Sequence, residues 1–230
     1  MDVRIVILAA GVGNRLGMPH PKPLTVLADG RSIMATQIDN IATHFSIHDV
    51  SIVVGFKKDM IMEAFPDVSF IYNQNYGDTN TSKSLLKALQ VTGSHPVLWM
   101  NGDVVFDPAL LDGLMDLVAS GQSFVCVNHE RVGDEEVKYT LGDDGFIAAI
   151  SKVVEGGLGE AVGINFVSTA DKPALIRHLE SCNDDDFFER GIESAISEDG
   201  LRVLPVDISA NRCLEVDFPE DLARALSEFP

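Results

Sequence analysis

Residue types able to do chemistry gather at three places along the chain. The first is Gly11-Val12-Gly13-Asn14-Arg15-Leu16-Gly17, followed by Pro21-Lys22-Pro23. Glycines let the backbone fold back with its N–H groups turned outward, a nest for anionic oxygens, and Arg15 and Lys22 add two fixed cations. The second is Asp103, in Asn101-Gly102-Asp103, directly after the apolar stretch Pro96 to Met100. A carboxylate just past the carboxyl end of a buried parallel strand stands at the rim where α/β folds bind ligands. The third is Glu215-Val216-Asp217. In an extended segment Glu215 and Asp217 share a face, because side chains alternate with period two. Asp103, Glu215 and Asp217 together make an oxygen-only ligand set, which suits Mg²⁺ and leaves positions for water and substrate phosphates. Asp217 has a plainer role open to it as well, the N-cap of a helix beginning at Phe218-Pro219-Glu220. The combined pattern is phosphate chemistry beside a divalent cation.

Three known loops compete for the glycine pattern. A P-loop requires Gly-Lys-Ser/Thr, which does not occur. The dinucleotide fingerprint requires a third glycine at position 16, where Leu16 stands, and an acid about 20 residues on that is missing. The nucleotidyltransferase signature, L-A-A-G-x-G-x-R-[LM]-G-x-x-x-P-K, is matched at every defined position from Leu8-Ala9-Ala10-Gly11 through Arg15-Leu16-Gly17 to Pro21-Lys22.

These residues need a scaffold, and the pattern supplies one. Val3 to Ala10, apolar but for Arg4, reads as a buried parallel strand. A short edge segment and turn follow over Leu24–Gly30, then a helix over Ile33–Phe45 with Ser32 as N-cap. The spacing predicts a strand at Val50–Val54, a short helix at Asp59–Phe65 and a strand at Val68–Tyr72. A polar loop, Asn73 to Ser82, leads into a helix over Lys83–Gln90 and offers donors for a nucleobase edge, or simply an Asx-rich cap. A strand at Pro96–Met100, with Trp99 in the core, precedes a helix over Ala109–Ala119 capped by Asp107-Pro108, and a strand at Phe124–Asn128. Alternating strands and helices imply right-handed crossovers and a parallel sheet. From His129 hairpins take over, with strands at Val137–Leu141, Phe146–Ile150 and Val162–Val167. Helices at Lys172–Glu180 and Asp186–Ile196, strands at Val203–Val206 and Cys213–Val216, and a helix at Pro219–Leu226 close the chain. The expectation is one α/β domain over 1–230: a mostly parallel sheet with an antiparallel β insertion acting as an acceptor-side lid. Residues 1–128 form the nucleotide-binding half; 129–230 form the acceptor-binding half with the C-terminal metal motif.

Composition sets the outer limits. The chain has 230 residues, 46% of them apolar, enough for a large core. It carries neither a run long enough to span a bilayer nor a signal peptide, since the first apolar run is short and leads into the glycine loop. Three scattered cysteines fit a reducing cytoplasm. A formal charge of −18 argues against nucleic-acid and membrane partners. A homodimer stays open. His20 lies in the signature loop as a solvent-facing residue or a phosphate contact; the other histidines lack ligand spacing.

The chain resembles nucleotidyltransferases of the nucleoside-diphosphate-sugar pyrophosphorylase type. Within them it is similar to bacterial choline-phosphate cytidylyltransferases and their relatives acting on phosphonates or inositol phosphate. The resemblance covers nearly the whole chain. It is carried by Leu8 to Lys22, Val53-Val54-Gly55, Tyr72-Asn73 with Tyr76, Asn80 and Ser84, the aspartate of Asn101-Gly102-Asp103, and Glu215-Val216-Asp217. It implies a Rossmann-like three-layer fold and transfer of CMP from CTP to a phosphate or phosphonate acceptor, of phosphocholine or 2-aminoethylphosphonate type, with release of pyrophosphate. An acceptor oxygen already anionic needs no general base. By the same resemblance Arg15, Lys22, Asp103 and Asp217 are the catalytic groups, and Asp103, Glu215 and Asp217 hold Mg²⁺. Leu8, Ala9, Ala10, Gly11, Val12, Gly13, Gly55, Asn80 and Ser84 surround the nucleotide. For the acceptor, Tyr139, Phe166, Phe187 and Phe188 are rings able to face a cationic group. Glu189 and Lys152 stand near its charges, Lys152 toward the acceptor phosphate or as a plain surface lysine, and Phe187 and Phe188 have the plainer role of packing a helix into the core open to them. The phosphocholine enzymes carry a Tyr-Trp pair about where Phe187-Phe188 stands, a departure that leaves a primary amine or a polyol phosphate as acceptor. Alternatives are a sugar-1-phosphate nucleotidyltransferase or a non-catalytic nucleotide-binding regulatory domain.

Overall fold

A computed structural model describes residues 2–13, 15–129 and 136–229. Its organising strand is β1, Arg4–Ala9, buried at every position after Arg4. Because alternate side chains point to opposite faces, Ile5, Ile7 and Ala9 join one core while Val6, Leu8 and Ala10 join another. This is why the sequence here is a continuous apolar run rather than an alternating one. Ile5 and Ile7 are fully buried, and truncating either to alanine would cost about 2–5 kcal/mol.

Strands β2 (Val50–Val54) and β4 (Val97–Asn101) flank β1 in parallel, and β3 (Ser69–Tyr72) lies beyond β2. One face is covered by α1 (Ile33–Ala42), the short α2 (Lys58–Ala64) and α4 (Pro108–Ser120) through Met34, Ile41, Ile61, Leu110 and Leu114. The other is covered by α3 (Thr81–Val91), α5 (Lys172–Ser181) and α6 (Phe188–Asp199) through Leu85, Leu89, Leu175, Leu179 and Ile192. The outcome is a three-layer α/β architecture, as expected. No described helix is long and apolar enough to cross a membrane.

The antiparallel insertion is present as expected, but only part of it stands off the sheet. The β7 (Lys138–Leu141) and β8 (Ile147–Ser151) hairpin does stand off the main path of the sheet. Strand β9 (Glu160–Val167), however, runs through the middle of the sheet, antiparallel to β4 on one side and to β6 (Phe124–Asn128) on the other. Its residues are buried from Ala161 to Val167, and a strand apolar on both faces belongs inside a covered sheet, not on a lid. Strand β10 (Leu204–Asp207) closes that edge in parallel with β6.

A second small sheet was not anticipated. Strand β5 (Val104–Phe106) pairs antiparallel with β11 (Cys213–Glu215), with Val104 opposite Glu215. Leu214, Val216 and Val105 pack with Leu16, Leu27 and Ile33 and with Ala225 of α7 (Pro219–Glu228). Asp107 makes no capping bond to α4. Its two carboxylate oxygens instead accept from Arg212 Nε and Nη2 at 2.9 Å each, and its backbone N–H donates to the Arg212 carbonyl at 3.0 Å. This clamp fixes the register of the ribbon. Ser32 caps α1 as expected, its hydroxyl accepting from the Ala35 amide at 3.2 Å.

Candidate active site

The carboxyl ends of β1 and β4 and the β5–β11 ribbon open onto one cavity of about 380 Å³. Gly13 is in the left-handed region at φ 67°, and a Cβ there would lie 3.3 Å from Lys22 Cβ. The glycine thus permits both the turn and the close return of the chain to Lys22, which stands between prolines in a single 3₁₀ turn, Lys22–Leu24. Lys57 ties the same loop down by donating from its ammonium to the Pro19 carbonyl.

Lys22 Nζ donates to Asp103 Oδ2 at 2.8 Å and also to Asp217 Oδ1. Arg15 Nη1 donates to Asp217 Oδ2 at 3.3 Å. Burial opposes the Lys22 charge, but Asp103 and Asp217 outweigh it and hold the amine above its ordinary range. Glu215 is pushed well above the usual carboxylate range, by burial first and then by Asp103 and Asp217. Oxygens of Asp103, Glu215 and Asp217 all lie within 4.8 Å of one another. The backbone sets this convergence: the Val216 amide donates to the Asp103 carbonyl at 3.0 Å. Asp217 does not cap α7. The Asp221 carboxylate does so, accepting from the Phe218 amide at 2.9 Å and the Asp217 amide at 3.1 Å. The Asp217 carboxylate is thereby left to face the cavity.

The donor set fits a divalent cation. It is all oxygen, one of its carboxylates resists ionising without added positive charge, and Asp103 Oδ1 is buried without a hydrogen-bond partner.

A smaller cavity of about 70 Å³ adjoins Leu8 and Gly11 and is lined further by Ala10, Tyr76, Asn80 and Ser84. Asn73, fully buried, organises it by donating to Thr79 Oγ1 at 3.0 Å and Ser84 Oγ at 3.1 Å. Asn80 caps α3, accepting from the Thr81 amide at 2.8 Å. Gly55 lies behind the pocket; a Cβ there would come within 2.5 Å of the Ala10 carbonyl oxygen and Tyr76 Cβ. Ala9 faces the opposite core, and neither it nor Val12 lines either cavity.

On the acceptor side Lys152, Phe187, Phe188 and Glu189 line the larger cavity, but the rings do not form a cage. Tyr139 is only 1% exposed and packs in the core, with its hydroxyl 3.1 Å from His129 Nε2. It is the one fully inward residue of β7, so strand alternation commits it to packing. Phe166 is buried and stacked on Phe124 at 5.5 Å. Phe188 turns its ring onto Trp99 in an edge contact at 5.7 Å. Phe187 alone is well exposed, and Lys152 Nζ sits over its ring at 4.5 Å. Glu189 is 8% exposed, and its Oε2 has no hydrogen-bond partner. Burial raises its carboxyl to about 7, against the weaker opposing pulls of its own backbone amide and Lys152. Glu136, Asn101, Thr81 and Phe218 also line this cavity. No motif singled out Glu136; Thr81 was foreshadowed only by the cap beside it.

The two cavities are stitched together. The Asn80 amide donates to the Asp184 carbonyl at 2.7 Å, and Asn80 Nδ2 donates to the Asp185 carbonyl at 3.1 Å. In return the Phe188 amide donates to Thr81 Oγ1 at 3.1 Å.

A three-layer α/β fold with a glycine loop, a lysine and convergent carboxylates at the strand ends defines a nucleotidyltransferase-type domain. Residues 5–186 match the family model of the MobA-like NTP transferase domain, and the chain belongs to that family. Over 123 residues it is 36% identical to the CMP-5'-(3-aminopropyl)phosphonate synthase of Streptomyces rubellomurinus, covering 50% of this chain and 19% of the relative. Over 103 residues it is 40% identical to the bifunctional protein GlmU of Acidithiobacillus ferrooxidans, covering 44% of this chain and 22% of that protein. The chain thus spans about a fifth of the length of these curated relatives. Among solved structures, the CTP:phosphocholine cytidylyltransferase of Streptococcus pneumoniae superposes with a TM-score of 0.78 at 20% identity, covering 100% of both chains. The inositol-1-phosphate CTP transferase of T. maritima does so with a TM-score of 0.80 at 17% identity, covering 99% of this chain and 96% of the other. These two likenesses speak to the fold.

Proposed function

We propose that the protein is a Mg²⁺-dependent cytidylyltransferase that moves CMP from CTP to a small phosphate or phosphonate acceptor and releases pyrophosphate. The observation that carries this reading is the convergence of Asp103, Glu215 and Asp217 on Lys22 and Arg15 beside the Gly11–Gly13 loop. The lean to cytidine and to a phosphonate-like acceptor is supported by the reactions that give the synthase relative and the two structurally similar cytidylyltransferases their names.

In this reading residues 1–128 bind the nucleotide, and 129–230 bind the acceptor and supply Glu215 and Asp217. The amides of Gly11 and Gly13 receive phosphate oxygens, and Arg15 offsets their charge. Lys22, held protonated by its two carboxylate partners, is the fixed cation nearest the reacting phosphorus. The base occupies the smaller cavity, against Leu8, Ala10 and the Asn80–Ser84 segment. Lys152 accompanies the acceptor phosphate or phosphonate, whose oxygen is already anionic; positioning and charge stabilisation supply the acceleration. Asp103, Glu215 and Asp217 would hold the divalent cation, which when bound neutralises phosphate charge and orients both substrates.

The test is pyrophosphate release with Mg²⁺ and CTP, UTP, GTP or ATP, each against phosphocholine, 2-aminoethylphosphonate, inositol 1-phosphate and sugar 1-phosphates. Release with CTP and a non-sugar acceptor, abolished in Asp217→Ala, is expected. Release only with a sugar 1-phosphate, or with another nucleotide, would overturn it.

A further inference from the structure

We infer that Glu189 is the specificity-determining residue that reads the far end of the acceptor, and that it selects a primary ammonium over a neutral or quaternary group. The inference rests on the transferase reading for its reaction, but the binding site it describes stands on geometry. Glu189 follows directly on Phe188 and Phe187 at the start of α6, and it lines the 380 Å³ cavity while being more than nine-tenths buried. Oε2 has no partner. A buried carboxylate oxygen without a donor is costly, and an N–H donor brought by a ligand in the adjoining cavity relieves that cost.

The lining charge says what that is. Among the described residues five carboxylates face this cavity against three cations. Arg15 and Lys22 are already committed to Asp217 and Asp103. Lys152 is the cation nearest in kind to a partner for Glu189, yet its ammonium lies over the Phe187 ring rather than in a bond to Oε2. A triphosphate and an anionic acceptor bring still more negative charge. A zwitterionic acceptor, anionic at the reacting end and cationic at the other, gives the Glu189 carboxylate a partner and lowers the charge the cavity must hold. The protonation behaviour of Glu189 agrees: burial lifts it, and only Lys152 and its own amide oppose.

Ring geometry separates ammonium types. A quaternary ammonium has no N–H and relies on several aromatic faces. Here Tyr139 and Phe166 are in the core, Phe188 spends its ring on Trp99, and Phe187 is covered by Lys152. A primary ammonium carries three N–H donors and suits one free carboxylate oxygen. A carboxylate near a helix N-terminus could instead serve only the helix dipole, and the experiment must distinguish these.

The experiment compares three phosphonates of one backbone with CTP and Mg²⁺: 2-aminoethylphosphonate, its N,N,N-trimethyl form, and n-propylphosphonate. The wild type should favour the amine over propyl by about 10- to 100-fold in kcat/KM, with the trimethyl compound nearer to propyl. Glu189→Gln should collapse the amine-to-propyl ratio to below about threefold, and Glu189→Asp should restore part of it, whereas a helix-dipole role would make Glu189→Gln melt lower than wild type and leave the ratio intact. A wild-type ratio near one, a ratio retained in Glu189→Gln, or a preference for the trimethyl compound overturns the inference while the transferase reading stands. If the wild type turns over none of the three, that reading fails for phosphonates. Calorimetric titration of 2-aminoethylphosphonate and n-propylphosphonate into wild type and Glu189→Gln then decides. Tighter amine binding lost in the variant supports Glu189, and equal or absent binding overturns it.

Discussion

Lys22 Nζ and Asp103 Oδ2, from residues 81 positions apart, meet at 2.8 Å, and the same ammonium also donates to Asp217. The ammonium is therefore both a structural counter-charge and the candidate stabiliser of the reacting phosphate. Lys22→Met should lower kcat by about 10²–10³-fold, the loss typical of removing one preorganised donor. Without metal it should also destabilise the protein by about 2 kcal/mol, a figure reduced from that of fully buried pairs because the partners are partly solvated. Chemical denaturation with and without MgCl₂ checks this, with Mg²⁺ expected to recover much of the stability and none of the activity.

Divalent cation should stabilise the native state, and more so as pH rises. The Glu215 carboxyl lies above its unfolded value because of burial and then Asp103 and Asp217. The folded state thus holds a proton there that the unfolded state has lost, and stability falls as pH rises from about the ordinary carboxylate value. Bound Mg²⁺ removes that loss. At a hundredfold excess over Kd the gain is about 2.7 kcal/mol, or roughly 5–10 °C for a domain of this size. Thermal melts at pH 6 and pH 8 with MgCl₂ or EDTA should show the larger difference at pH 8, and Asp217→Asn should abolish most of it.

Glu189→Gln should make the unliganded protein more stable, not less. Folding raises this carboxyl from an ordinary 4.5 to about 7 through burial. The cost of ionising it in place is absent below pH 4.5 and fully present above pH 7. At pH 8 the glutamine variant should gain on the order of 3 kcal/mol, and at pH 5 much less. Urea denaturation at the two pH values measures the difference.

Gly55→Ala tests the wall of the smaller cavity. The added carbon would meet the Ala10 carbonyl and Tyr76 at 2.5 Å, so the strand end must shift. A loss of about 1–3 kcal/mol in stability is expected, with KM for the nucleotide raised and KM for the acceptor little changed.

Arg212→Ala tests register at a distance. The pair with Asp107 is surface-exposed, so its own contribution to stability should be under about 1 kcal/mol. Because it aligns the ribbon carrying Glu215, kcat/KM should still fall by about tenfold. A melting temperature near wild type with that kinetic loss identifies Arg212 as a positioning residue.

Much of this was legible in the residues themselves. The run Val3 to Ala10, apolar at both parities, predicts a central strand, and β1 is central. Val50–Val54 and Phe124–Asn128 form strands over those bounds. The glycine loop, Lys22 and the three acids are recognisable because few arrangements need those types at those spacings. Pairing was less legible. Nothing local distinguishes β9 as a hairpin strand from β9 as an interior strand, since that depends on which sheet edge remains open. Nor does Val104–Phe106 announce β5, whose partner lies over a hundred residues on. The aromatic residues misled for the same reason: Tyr139 and Phe166 have the right chemistry, but strand parity turns Tyr139 into the core and Phe166 lies on β9, which is covered on both faces.

The backbone stitching between Asn80 and the carbonyls of Asp184 and Asp185 has a consequence for how such a protein diversifies. Those bonds use main-chain oxygens, so the side chains at 184 and 185 are free to vary while the path of the chain is not. Swaps at Phe187 or Glu189 can retune one pocket and leave the other undisturbed. Insertions or deletions there would drag the start of α3 along with them. Drift toward new acceptors should therefore proceed by point replacement, with loop length held constant.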